Sequence, residues 1–239
     1  MKIMVSKYVL LLCFLLSLTP VTMGQADPAD YLSGIKEELQ KKWPHNRTIN
    51  LVFHGHSVPT GYFRTPDVRT LDAYPFLVLQ QLKKMYPFAV INSITTSIGG
   101  ENSVQGAKRF NKEVLTHRPD VLFIDYALND RGIGLEASRK AMDKMIKTAL
   151  KQKIKVILLT PSPDLSENIK DSGTVLNRFS LQLLELAKKY HIGLADSYNA
   201  FRTLALENNN IKDYMSQSNH PNRKGHEVIA GQILPFFEK

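Results

Sequence analysis

Three short stretches hold side chains that could do chemistry together: His54-Gly55-His56-Ser57-Val58-Pro59, Ala127-Leu128-Asn129-Asp130 and Asn219-His220-Pro221-Asn222. They offer a hydroxyl, a side-chain amide and an imidazole. A hydroxyl nucleophile needs a base to take its proton and donors to hold the oxyanion that grows on an attacked carbonyl. These residue types are therefore the working set of nucleophilic ester cleavage. Each stretch alone also has an ordinary structural explanation. Ser57 after a strand suits a turn or a helix cap, Asn129-Asp130 an Asx turn, Gly99-Gly100 a plain loop, and a histidine ahead of a helix a capping role. His54 and His56 would face the same way on a strand, as two metal ligands must. No acidic or histidine cluster completes a set, so no metal is expected and His54 reads as a packed strand residue.

The elements that must position these residues follow from apolar periodicity. Strand patterns cover 49–54, 88–94, 121–127, 155–160 and 192–195; helical patterns cover 28–42, 72–85 with Asp72 as a cap, 103–116, 135–152, 172–190 and 222–238. Five strands separated by helices predict a parallel sheet covered on both faces. In such sheets ligands sit beyond the carboxyl ends of the strands. Ser57 follows the first strand, Gly99-Gly100 the second and Asn129 the third, while His220 lies in the long loop after the fifth. Four segments thus point at one edge of the sheet, where Gly100 could bring a backbone N–H close and Asn129 an amide.

The N-terminus carries Lys2 and Lys7, an apolar run over 8–18, and the small residues Thr22 and Gly24. This is the layout of a secretory signal peptide cut after Gly24, and at about 11 residues the run is too short to span a bilayer. Export, to the outside or to a periplasm, is the expectation, with 25–239 forming one domain. The one cysteine, Cys13, lies inside the leader, so the mature chain has no thiol chemistry. Loss of Lys2 and Lys7 lowers the formal charge from +9 to +7. Without an arginine-rich run interleaved with aromatics, that charge reads as surface solubility rather than nucleic-acid binding. Asn46-Arg47-Thr48 matches the N-glycosylation pattern.

Taken together, the stretches resemble the SGNH/GDSL hydrolase family over about residues 48–238. His54-Gly55-His56-Ser57 is similar to its first block and implies Ser57 as nucleophile and first oxyanion donor. Ser97-Ile98-Gly99-Gly100-Glu101-Asn102 is similar to the second and implies Gly100 as a backbone donor, with Gly99 as the alternative register. Ala127-Leu128-Asn129-Asp130 implies Asn129 as the side-chain donor, and Asn219-His220-Pro221-Asn222 implies His220 as the base. The resemblance implies a three-layer α/β/α flavodoxin-like fold around a five-stranded parallel sheet and an acyl-enzyme mechanism without cofactor or metal. For an exported member it implies a small-molecule or glycan ester as substrate, O-deacetylation of a carbohydrate first of all. Lipid and thioester hydrolysis, or transfer of the acyl group to a sugar hydroxyl, are alternatives within the family.

Two positions depart from the family pattern. His56 stands where the first block usually has aspartate, which alters loop hydrogen bonding or substrate contacts. Gln217 stands where an aspartate three residues before the base would hold the imidazole in its working tautomer, and losing that charge can cost orders of magnitude in rate. Gln217 through its amide oxygen, a main-chain carbonyl, or Asp164 or Asp213 from another loop could orient His220 instead. A weakly active enzyme, or a glycan-binding module that has lost turnover, is the remaining reading.

Overall fold

The computed structural model describes residues 24–238, so the expected leader lies outside the described residues except for Gly24. Five strands form one parallel sheet: β1 (Thr48–Gly55), β2 (Val90–Thr95), β3 (Val121–Asp125), β4 (Lys155–Leu159) and β5 (Gly193–Ala195), in the order β2-β1-β3-β4-β5. This is the flavodoxin-like order, with its switch point beside β1. β1, β3 and β4 are nearly continuous apolar runs because both of their faces are covered. β2, at an edge, tolerates Asn92, Ser93 and Thr95.

Among the described residues, seven helices of two turns or more pack on the sheet: α1 (Ser33–Gln40), α2 (Tyr74–Met85), α3 (Ser103–Glu113), α4 (Gly134–Lys151), α5 (Val175–Tyr190), α6 (Ser197–Leu206) and α7 (Arg223–Ile233). Strand alternation sorts them into two layers. Ile49, Leu51, Phe53 and Phe123 point to one face and meet Leu39 of α1, Leu82 of α2, Phe201 of α6 and Ile233 of α7. Val52, Leu122 and Ile124 point to the other and meet Phe110 of α3, Met145 of α4 and Leu183 of α5. The result is a three-layer α/β/α arrangement with an apolar core on each side of the sheet.

Several boundaries differ from those expected. The 28–42 segment breaks at Leu32, where the backbone leaves helical geometry, into the turn Pro28–Tyr31 and α1. Asp72 does not cap α2; it lies in a preceding 3₁₀ turn, and its carboxylate accepts from Arg223 Nη1 at 2.7 Å. The 172–190 helix starts three residues later, where the Thr174 side chain accepts from Asn177 N–H. The closing helix stops at Ile233, ahead of a 3₁₀ turn that contains Pro235. Within the long loop after β5, the structure holds α6, capped by Asp196, with Tyr198, Phe201 and Ala205 buried at helical spacing.

Candidate active site

The residues after β1 make a tight turn. The His56 Nδ1 accepts from Val58 N–H at 3.2 Å and so caps the one-turn helix Ser57–Thr60, which Gly61 ends in a left-handed conformation. His56 is buried, so it supplies the short-range acceptor that an aspartate would give at a helix start and offers no surface to a substrate. Its Nε2 points toward Asp125 Oδ1 at 3.3 Å, and Asp125 Oδ2 in turn accepts from Tyr74 Oη. Ser57 is the first residue of the turn. Backbone N–H groups at that position have no intrahelical partner, which is what an oxyanion donor requires.

His220 is carried by the segment between the 3₁₀ turn Ile211–Tyr214 and α7. Ser216 holds that segment, donating to the His220 carbonyl from both N–H, at 2.9 Å, and Oγ, at 3.0 Å. The His220 Nε2 lies 2.9 Å from Ser57 Oγ, which joins two groups 163 residues apart. Burial pulls the His220 pKa below the ordinary histidine value; the Phe63 carbonyl opposes this shift and His56 adds to it. A neutral ring is the form that can take a proton from serine.

The other ring nitrogen has two competing neighbours. Nδ1 is 3.0 Å from the Phe63 carbonyl oxygen and 2.7 Å from the Gln217 amide nitrogen. If Nδ1 carries the proton it donates to Phe63, and the Nε2 lone pair faces Ser57. If Nδ1 accepts from Gln217, the proton sits on Nε2 and the ring cannot act as a base toward Ser57. Gln217 is held in this direction because its amide oxygen accepts from Thr65 N–H at 3.2 Å. Rotating the amide would set two donors against each other. Of the groups expected to orient the ring, Gln217 thus meets it through nitrogen rather than oxygen, and the main-chain carbonyl is that of Phe63.

Asp164 and Asp213 do not meet the ring. Asp164 binds Arg131 Nη2 at 2.6 Å and Ser166 N–H at 2.9 Å. Burial alone would raise its pKa, yet these partners hold it below the usual carboxylate value. Asp213 is exposed in its 3₁₀ turn, where its main-chain carbonyl accepts from Asn222 Nδ2.

The loops that carry the expected oxyanion donors follow β2 and β3, the strands on either side of β1. Gly100 follows β2 with φ +79°, a conformation L side chains rarely adopt, and a Cβ added there would meet nothing. Asn129 sits in the one-turn helix Ala127–Asp130 after β3, its Nδ2 donating to the Glu101 carbonyl at 2.9 Å. An amide nitrogen has two protons, so one anchors the side chain and the other remains for an oxyanion. Tyr62, which sequence reasoning did not single out, completes the rim. Its ring lies 5.9 Å from that of His220, and a Cβ on Gly99 would come within 2.8 Å of its Cζ and Oη. Ser57 and His220 are only 6% and 8% exposed.

Residues 53–228 match the GDSL-like Lipase/Acylhydrolase family. No curated protein sequence matches the chain. Among solved structures, a two-domain esterase active on acetylated mannans, co-crystallized with mannopentaose, superposes with a TM-score of 0.72 at 19% identity. That likeness covers 90% of this chain and 54% of the other, so the chain spans about half the length of the two-domain esterase. An acetylxylan esterase from Geobacillus stearothermophilus superposes with a TM-score of 0.69 at 18% identity, covering 80% of this chain and 94% of that one.

Proposed function

The chain belongs to the GDSL-like lipase/acylhydrolase family, and from that premise we propose that it is a serine esterase that removes acetyl groups from a carbohydrate. The observation that carries this reading is the 2.9 Å contact between Ser57 Oγ and His220 Nε2, at the sheet edge where Gly100 and Asn129 stand on either side. Ser57 Oγ attacks the ester carbonyl as His220 Nε2 takes its proton. The Ser57 and Gly100 backbone N–H groups and the Asn129 amide hold the oxyanion. His220 then gives its proton to the leaving sugar oxygen, which departs as a hydroxyl; the same ring takes a proton from the water that attacks the acyl-enzyme and returns it to Ser57 Oγ as acetate leaves. No step calls for a cofactor.

A small acyl group is supported by Tyr62, whose ring stands between the His220 ring and Gly99 at the rim of the site. A hollow of about 240 Å³ near the site mixes apolar residues such as Leu165, Ile169 and Ile211 with polar ones such as Asp164, Asn168 and Lys170. Its wall is tied to the His220 loop by the 2.7 Å bond from Leu165 N–H to the Ser218 carbonyl. The acetylated-glycan esterases of similar fold point the same way. Export follows from the leader-like N-terminus. An intact mass that begins at Gln25 in protein recovered outside the cytoplasm supports it, and one that includes Met1 refutes it.

One observation favours a second reading. The Gln217 amide donates toward Nδ1 from 2.7 Å and stabilises the tautomer that cannot activate Ser57, as expected of a glycan-binding module that has lost turnover. Acetate release from a panel of acetylated glycans, run beside labelling by a serine-directed fluorophosphonate, separates the two. The esterase releases acetate and is labelled at Ser57, and Ser57→Ala loses both without a change in fold. Binding without labelling or release would establish the second reading.

A further inference from the structure

Beneath the candidate oxyanion hole lies a buried polar network that the steps above do not use. Glu101, 7% exposed, is gripped by Arg109 in bidentate fashion: Nε meets Oε1 at 2.7 Å and Nη2 meets Oε2 at 2.5 Å. Arg109 Nη2 also donates to the Thr96 carbonyl at 2.6 Å, just past the end of β2. Tyr126 Oη donates to Glu101 Oε2 at 2.7 Å. Burial, with Glu101 beside it, pushes the Tyr126 pKa well up, so the phenol keeps the proton it donates. The opening for that phenol is Gly106 of α3, where an added Cβ would lie 2.2 Å from Tyr126 Oη. His54 closes the cluster, with Nε2 3.1 Å from Tyr126 Oη and Nδ1 3.0 Å from Thr96 Oγ1.

The main chain of Glu101 faces the opposite way. Its N–H donates to the Ile98 carbonyl at 3.1 Å, closing the turn that holds Gly99 and Gly100. Its carbonyl accepts from Asn129 Nδ2 at 2.9 Å. Tyr126 acts on Asn129 from its own side, because its carbonyl accepts from Asn129 N–H at 3.0 Å. One residue therefore touches both loops from which the oxyanion donors come. Its carboxylate is locked by two charge-assisted bonds and a phenol, the strongest hydrogen-bond type in a buried setting.

We infer that Glu101 is a positioning residue of the oxyanion hole, setting the Gly100 turn and the Asn129 amide together through the grip of Arg109 and Tyr126. This rests on the esterase reading above. Such a group acts on the transition state through the donors it aims, and displacement by a fraction of an ångström weakens them without altering ground-state binding.

The test is a set of full-length variants assayed on p-nitrophenyl acetate. Glu101→Gln keeps the shape but turns an acceptor oxygen into a donor facing Arg109 and Tyr126. It should lower kcat about 10- to 100-fold with KM within about twofold. Tyr126→Phe removes one hydroxyl and should lower kcat about 3- to 10-fold. Asn129→Ala with Glu101→Gln should lose at least about fivefold less than the product of the two single losses, because both act on one oxyanion. The inference is overturned if Glu101→Gln and Tyr126→Phe stay within twofold of the wild-type kcat, if the loss falls in KM, or if the losses multiply. Should Glu101→Gln fail to fold, Tyr126→Phe decides alone. If the wild type neither turns over nor labels at Ser57, the esterase reading itself fails, and this inference falls with it.

Discussion

The Gln217 amide nitrogen lies 2.7 Å from His220 Nδ1, nearer than the Phe63 carbonyl oxygen at 3.0 Å. The glutamine therefore works against the carbonyl for control of the imidazole proton. Removing the amide should do no harm: Gln217→Ala is expected to keep kcat within about threefold of wild type or to raise it, since Phe63 then holds Nδ1–H unopposed. Gln217→Glu keeps the length of the side chain and its acceptor for Thr65 N–H while putting a carboxylate against Nδ1. It should raise kcat by at least about threefold. Because the carboxylate stabilises imidazolium, it should also move the acid limb of the kcat/KM profile to higher pH. A tenfold or larger loss in Gln217→Ala would show instead that Gln217 orients the ring.

Asn129 gives one amide proton to the Glu101 carbonyl and has one to spare. Asn129→Ala should lower kcat about 100- to 1,000-fold and leave KM nearly unchanged, as for other side-chain oxyanion donors. Steady-state kinetics on p-nitrophenyl acetate decide the matter; a loss confined to KM would make Asn129 a substrate-binding group.

Tyr62 sits between the His220 ring and Gly99, on the rim of the buried serine. Tyr62→Ala should open that space to longer acyl chains. Each methylene admitted is worth about 10-fold or more in discrimination, so the kcat/KM ratio of p-nitrophenyl butyrate to acetate should rise at least about tenfold. An unchanged ratio would place the acyl group elsewhere.

Two buried histidines bear on acid stability. Burial first of all, and Arg109 after it, lower the pKa of His54 to about 4 against the opposing charge of Glu101; burial likewise lowers that of His226 to about 3. His226 Nδ1 accepts from Tyr74 N–H at 3.2 Å, a bond only the neutral ring can make. Both folded values lie below the unfolded value of about 6.5, so the unfolded chain binds more protons at acid pH. The stability they contribute is complete above about pH 6.5 and falls away toward pH 4 and then pH 3, by up to a few kcal/mol for each group. Urea midpoints measured from pH 7.5 to 4 should decline, and His226→Asn, which keeps an acceptor for Tyr74, should decline less. A flat wild-type profile would contradict the assignment.

Much of this was legible from the amino-acid order alone. Runs such as Leu51 to Phe53 and Val121 to Ile124 are apolar on both faces, and a strand is the element that buries both faces at once. Once the strands are placed, Ser57, Gly100 and Asn129 must lie at their carboxyl ends. The helix Ser197–Leu206 carries a readable signal in Tyr198, Phe201 and Ala205 within the long segment after β5. Its apolar stripe is narrow and its strand neighbour short.

Which groups meet depends on how distant loops pack. Local periodicity places a residue on an element, but it carries no information about partners 150 residues away. The Phe63 carbonyl has no side-chain signature at all, and Gln217 meets His220 through nitrogen because Thr65 N–H holds its oxygen. Asp164 was equally plausible in the sequence and is spent on Arg131. Glu101 lay in plain view in a recognised stretch, yet its link to Asn129 exists only because β1 brings the loops after β2 and β3 together. The elements and the residues at their ends follow from the amino-acid order, since burial and backbone propensity act over a few residues. The imidazole's proton and the aim of the oxyanion donors were decided by hydrogen bonds that form only when distant loops are packed against one another.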